Sequence, residues 1–440
     1  MAAFSRDSAS VNGVAVRRLR TTFNKSSDIL CICHTLCHLG EHFDLDILGL
    51  FLSAFIKLVY SSARAKHIWA ALIGEAVEGF SEIRWWCKAM IMMQIARAFP
   101  KLKLFLDKLV QENVGDATTK TMLDIYTNNT VKLKVQLAAM LDMRKVVSIT
   151  HILEGDGAVI LQAFPLVEEI RNLGNSLTQV GSLPNVEAVL RAEAKLEKGL
   201  SICKVFPGHG ACHGKVVDID KVDSTLYPGT ERTAYTVRYN GDGFTEDLEA
   251  EEILPLINLE DSVLRKQIVE GLTPGFKYLN DRLLGNCASN YSCKDTYALF
   301  RLAQVADPSF AASMLSARMV DDLACIPYFS DMQELWRLTN DLPAYLTTAA
   351  AWLSNVEIDR NDMADYTEKV LLFWRSNAPK FPAWGRLTRV FLSMAPSSAA
   401  VERVFSLCNH MFGDAQLSAL ADFVQGSLML RANKRFNLLG

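Results

Sequence analysis

Along most of the chain apolar residues return every third or fourth position, the period of a helix with one buried face. Leu102, Phe105, Leu106, Leu109 and Val110 predict such a face over residues 101–114, with Lys103, Asp107 and Lys108 turned away from it. Val186, Val189, Leu190, Ala194 and Leu196 predict another over residues 185–200, where Arg191, Lys195 and Lys198 make the solvated side. The most apolar stretch, residues 47–60, is interrupted by Lys57 and falls short of the roughly 20 residues needed to span a bilayer. It predicts a buried helix and no membrane contact.

Between Cys203 and Ile257 glycines cluster and the period shortens to two. Residues 214–218 and 234–239 read as strands, the second alternating Tyr235, Val237 and Tyr239 with Thr236 and Arg238. Asn240-Gly241-Asp242-Gly243 supplies a tight turn tolerant of positive φ and leads into a third strand over residues 244–248. Helices resume after Glu260, including residues 332–342 and 366–375, so the chain predicts a small β module set among helices.

Charge and cysteine content narrow the classes. Lys and Arg total 46 against 49 Asp and Glu, a formal charge of -3, so nucleic acid can be met only locally. Arg17, Arg18, Arg20 and Lys25, and again Arg431, Lys434 and Arg435, are the basic clusters suited to phosphates; a solvated helix face is the competing reading. The first ten residues lack the apolar run of a secretory signal, which favours cytosol or nucleus, where the ten irregularly spaced cysteines are expected as free thiols. Cys31, Cys33, His34, Cys37 and His38, and separately Cys203, His209, Cys212 and His213, are zinc-type donors without paired finger spacing. Incidental polar roles compete with zinc in both sets.

Near the C-terminus stands Pro396-Ser397-Ser398-Ala399-Ala400-Val401-Glu402-Arg403-Val404-Phe405-Ser406. Ser397 or Ser398 can cap the helix that follows. Val401, Val404, Phe405, Cys408 and Phe412 then share one face, and Leu417, Leu420, Val424 and Leu428 line a second amphipathic helix. Residues 366–436 closely resemble the C-terminal dimerisation region of hAT-family transposases. Three further segments resemble that family in order: Ser5-Arg6-Asp7-Ser8-Ala9-Ser10 its second aspartate motif, Cys31-Ile32-Cys33-His34 its Cys-x-x-His element, and Arg84-Trp85 its Arg-Trp pair.

The resemblance implies an α/β core of ribonuclease-H-like type, interrupted by a large all-α insertion. Residues 1–95 would begin the core, 96–365 form the mainly helical insertion, and 366–440 complete the core as the dimerisation region. It implies Asp7 and Glu402 as catalytic and metal-binding carboxylates for Mg2+, which two-metal phosphoryl transfer requires as hard ligands. It also implies Arg84 and Trp85 at DNA, homodimerisation through Val404, Phe405, Leu417, Leu420, Val424 and Leu428, and a nuclear location. The family's first aspartate would precede Asp7, where only six residues stand. An N-terminally truncated core, a weakened metal site and loss of activity are therefore the expectation. An active metal-dependent transposase or nuclease is the alternative.

The β module, residues 203–257, resembles Tudor-like or SH3-like barrels. That resemblance makes Tyr227, Tyr235, Tyr239 and Phe244 candidates for an aromatic cage around a methylated Lys or Arg of a histone peptide, with Asp242 and Glu246 as nearby anions. A barrel of this size also needs most of its aromatics to fill its own core. Trp85 likewise has two readings, a brace for unpaired DNA and a buried aromatic.

Overall fold

The chain resolves into two compact units in the structure, a computed structural model that describes residues 3–7, 10–81, 84–223, 231–241, 243–288, 292–330, 332–399 and 402. Unit 1 comprises residues 1–39, 148–171 and 277–440, and unit 2 residues 40–147 and 172–276. These boundaries are drawn differently from the sequence divisions at 96 and 366. Unit 1 combines both chain ends with segments from the middle.

Unit 1 begins with strand β1 (Ala3–Arg6), helix α1 (Ser10–Thr22), strand β2 (Ser27–Leu30) and helix α2 (Ile32–Glu41). The two strands pair in parallel, Ala3 opposite Ser27 and Arg6 opposite Leu30, so both release the chain at the same edge. Ile29 and Leu30 are buried, and the Leu30 N–H donates to Thr296 Oγ1 at 3.0 Å. The Arg6 guanidinium grips Asp28 with Nε to Oδ1 at 2.8 Å and Nη2 to Oδ2 at 2.9 Å, a forked geometry that fixes the strand pair.

The carboxyl half of unit 1 packs around Tyr345. Its ring lies 4.6 Å from Trp384, 5.2 Å from Trp374 and 5.8 Å from Phe381. The polar tips of these large rings are satisfied by backbone carbonyls: Trp374 Nε1 donates to Ala306 O, Trp384 Nε1 to Leu338 O and Tyr345 Oη to Val305 O. Pro382 opens the helix Pro382–Leu392 at the position where a missing N–H costs nothing.

Unit 2 contains helices over residues 101–111 and over the most apolar stretch. Residues 101–114 fall at the end of the helix Trp85–Gln111, where Leu102, Phe105, Leu106 and Leu109 are buried. The apolar stretch forms Asp46–Ser61 with Phe51, Phe55 and Leu58 inside; Ser62 then caps Ala63–Ile73 by accepting from the Ala65 N–H. Among the described residues no single helix is long and apolar enough to cross a membrane. The helix expected over residues 185–200 stops at Ala192. Leu196 and Leu200 leave it to pack against the β module, a tertiary demand that the helical period cannot signal.

That module is an antiparallel meander of β3 (Ser201–Phe206), β4 (Gly210–Asp223), β5 (Glu231–Tyr239) and β6 (Thr245–Leu248). The first half of β4 pairs with β3 and the second half with β5, with a register shift between Val216 and Asp218. Ile257 bridges back to Ile202 on β3. Ile202, Val216, Val237, Tyr239, Leu248 and Ile253 form its core. The expected turn is present, with Gly241 and Gly243 at φ of 107° and 75°.

Gly40 tests the packing of unit 2. A Cβ there would lie 1.9 Å from the Trp85 ring, which also meets Phe43 edge-on at 5.5 Å. Gly40→Ala must displace a buried indole, and overpacking of this kind costs about 1–3 kcal/mol. Urea unfolding followed by tryptophan fluorescence is expected to show that loss; an unchanged midpoint would show that the indole does not sit against Gly40.

Candidate functional site

The parallel pair β1–β2 creates a site at its carboxyl edge, where the chain leaves two adjacent strands at once. Asp7 follows β1 directly and Cys31 follows β2, with His34 one helical turn further along α2. The Arg6 guanidinium donates to the Asp7 carbonyl at 3.1 Å, and Asn12 Nδ2 donates to the Asp7 carboxylate at 2.7 Å. A distant segment arrives on the same edge. The Ile32 N–H donates to Pro396 O at 3.1 Å, and the Ser398 N–H to Cys31 Sγ at 3.2 Å. Ser398 Oγ then donates to Glu402 Oε1 at 2.6 Å, while Ser397 Oγ accepts from the Ala399 N–H at 3.4 Å in the capping role read from the sequence.

Glu402 consequently sits 3.8 Å from His34 Nδ1. Both Glu402 and Asp7 act on that ring: its pKa is raised to about 8, first by the hydrogen bond to Cys31, then by the charges of Cys31, Glu402 and Asp7, against opposition from burial. Cys31 is held well below the usual thiol range, first by a hydrogen bond from Cys33 and then by His34 and Ser398, although burial opposes it. Cys33 is pushed well above that range by the same pairing and by its own burial. The site thus brings the Cys31 thiol, the His34 ring and the side chains of Asp7 and Glu402 to one edge.

This donor set fits a hard divalent cation poorly. Asp7 and Glu402 each already accept a hydrogen bond, and both act on a cationic ring. A Mg2+ ion wants near-octahedral oxygen ligation. Among the described residues no group of three or more His, Cys, Asp or Glu side chains is arranged to hold a metal ion. Of the zinc-type donors Cys31, Cys33 and His34 lie together but form no such group; Cys33 and Cys37 are buried thiols, and His38 packs edge-on to Tyr278. In the β module His213 faces Asn258 across 3.4 Å.

The remaining sequence candidates fall elsewhere. Trp85 belongs to unit 2 and is 6% exposed, which favours the buried aromatic of its two readings. Its neighbour Arg84 lies instead over the Trp86 ring at 5.8 Å. Tyr239 is buried in the core of the β module and donates to Glu246 Oε2 at 2.9 Å, and Tyr235 packs against that core. Phe244 is half exposed and stacks on Tyr239 at 5.9 Å, with Phe206 edge-on to both. The Lys204 ammonium sits 5.2 Å over Phe206 and pairs with Glu246, so a cation of the chain itself takes the anion that a cage would use. Tyr227, Asp242, Val404, Phe405, Leu417, Leu420, Val424, Leu428, Arg431, Lys434 and Arg435 lie outside the described residues. Arg17, Arg18 and Lys25 are exposed, and Arg20 lines a pocket with Asp28 and Asp295.

Sequence reasoning missed the partnership of Cys31 with Ser398. The signal was present in two halves, a Cys-x-x-His spacing and a serine pair after a proline, with nothing local to join them.

The raised pKa of His34 has a testable sign. Its folded value exceeds the unfolded value of about 6.5, so its contribution to stability is complete below that pH and is lost as pH rises through the folded value. In metal-free buffer the ring is expected to titrate with a midpoint of about 8 by NMR. Cys31→Ser should lower that midpoint more than Glu402→Gln. A native midpoint at or below the unfolded value would contradict this geometry.

Residues 350–433 match the family model of the hAT family C-terminal dimerisation region. No curated protein matches the chain. The matched segment contains the helices Met363–Asn377 and Pro382–Leu392 and the segment that carries Glu402 to His34. It supports a hAT-transposase-like protein that carries a dimerisation region.

Proposed function

We propose that the chain is a hAT transposase-derived protein whose working activity is homodimerisation, with its phosphoryl-transfer chemistry lost. The observation that carries this reading is the family match over residues 350–433. The arrangement of the edge supports it: Asp7 and Glu402 both act on the His34 ring, and among the described residues no group of three or more His, Cys, Asp or Glu side chains is arranged to hold a metal ion. In this reading the carboxylates stabilise the junction of β2 and α2 and no longer position a scissile phosphate, the step on which catalysis depends. Unit 1 is then the remnant of a ribonuclease-H-like core, and the β module a Tudor-like barrel whose rings fill its own interior. In the same reading the protein works in the nucleus, where its exposed basic residues meet DNA weakly and locally.

Light scattering after size exclusion tests the dimer. The native protein is expected at twice the 48.9 kDa chain mass, and Leu420→Asp at the chain mass. A native monomer would overturn the reading. Strand cleavage with Mg2+ or Mn2+ tests the enzyme alternative: no cleavage is expected, and cleavage abolished by Glu402→Gln would restore the transposase.

A further inference from the structure

A pocket of about 260 Å³ opens within unit 1 beside the start of β2, at the opposite end of the strand pair from Asp7. It is smaller than the roughly 300–1,000 Å³ of drug-sized sites, so it suits a small occupant. The last turn of α1 contributes Arg20, β2 contributes Ser27 and Asp28, and the helix Lys294–Ala303 contributes Asp295 from its first turn. Ala298, Leu299, Ile326 and Pro327 supply apolar walls.

The charges around this pocket are not used up by one another. Both oxygens of the Asp28 carboxylate already accept from the Arg6 fork. That leaves Arg20 as the cation and Asp295 as the anion, and among the described residues neither has an ion pair, with the other or with a third group. Backbone groups beside them are left over as well. On the edge of β2 turned away from β1 the Leu30 N–H is taken up by Thr296 Oγ1. Asp28, two residues earlier on that edge, has no partner for its N–H or C=O among the described residues. Ser27 is 6% exposed and its Oγ has no hydrogen-bond partner, which costs free energy until something supplies one.

A cation and an anion kept apart on one small pocket suit a molecule that carries both charges close together. A simple anion would meet Asp295 unsatisfied, a simple amine would meet Arg20, and a nucleotide is too large. We infer that the pocket binds a free α-amino acid with an apolar side chain. Its carboxylate takes the Arg20 guanidinium in the forked geometry that arginine offers, and its ammonium takes Asp295. The Asp28 N–H and C=O pair with the same two ends as a neighbouring strand would. Leu299 and Ile326 receive the side chain. This site is separate from the edge at His34 and does not depend on dimerisation.

Calorimetric titration of the full chain with L-leucine tests the assignment, beside isocaproic acid, which lacks the ammonium, and isoamylamine, which lacks the carboxylate. Leucine is expected to bind with a Kd of about 1 mM or below, and each analogue at least about tenfold more weakly. Arg20→Gln should remove the advantage of leucine over isoamylamine, and Asp295→Asn its advantage over isocaproic acid, both with native circular dichroism. Arg17→Gln should leave leucine binding unchanged. No leucine binding at about 10 mM, or analogues that bind as well as leucine, would overturn the proposal. Folded Arg20→Gln and Asp295→Asn variants that bind leucine like the native chain would overturn it too. Should either variant not fold, leucine against its two analogues on the native chain decides alone.

Discussion

Two backbone hydrogen bonds hold the ends of this chain to one place, Ile32 N–H to Pro396 O and Ser398 N–H to Cys31 Sγ, the second joining residues 367 positions apart. Everything at the candidate site depends on them. Without that docking Glu402 has no reason to approach His34. The junction also shields Cys31, which is nearly fully buried; hydrogen bonds with Cys33, His34 and the Ser398 amide lower its pKa against that burial, and Glu402 helps to raise that of His34.

At this edge each carboxylate accepts a hydrogen bond and acts on the His34 ring. The segment that docks on Cys31 belongs to the region matched to dimerisation. The aromatic cluster around Tyr345 holds the helices Met363–Asn377 and Pro382–Leu392 of that region rigid, with each indole and phenol tip satisfied by a backbone carbonyl.

Much of this was legible before the structure. The helical period located Asp46–Ser61 and the end of Trp85–Gln111, because in both the buried face is long and regular. The turn at Gly241 and Gly243 announced itself through residues that tolerate positive φ. The pairing of residues 7 and 402 around His34 was reachable only through a family resemblance, since no local pattern ties the two ends. Three features escaped. Strand β3 was hidden by the short, mixed pattern of Ser201–Phe206. The helix at Pro184–Ala192 ended early because Leu196 and Leu200 serve the β module. The depth of Trp85 depended on Gly40, 45 positions away, whose lack of a side chain makes the space.

The central claim is that the acidic side chain at 402 rests against the ring at 34. Selective labelling of histidine and glutamate, followed by nuclear Overhauser measurements on the folded protein, reads that proximity directly. Cross-peaks between the His34 ring protons and the Glu402 γ-methylene are expected, and their loss in Ser398→Pro, which removes the amide that docks on Cys31. A folded native sample with no such cross-peaks would contradict the account.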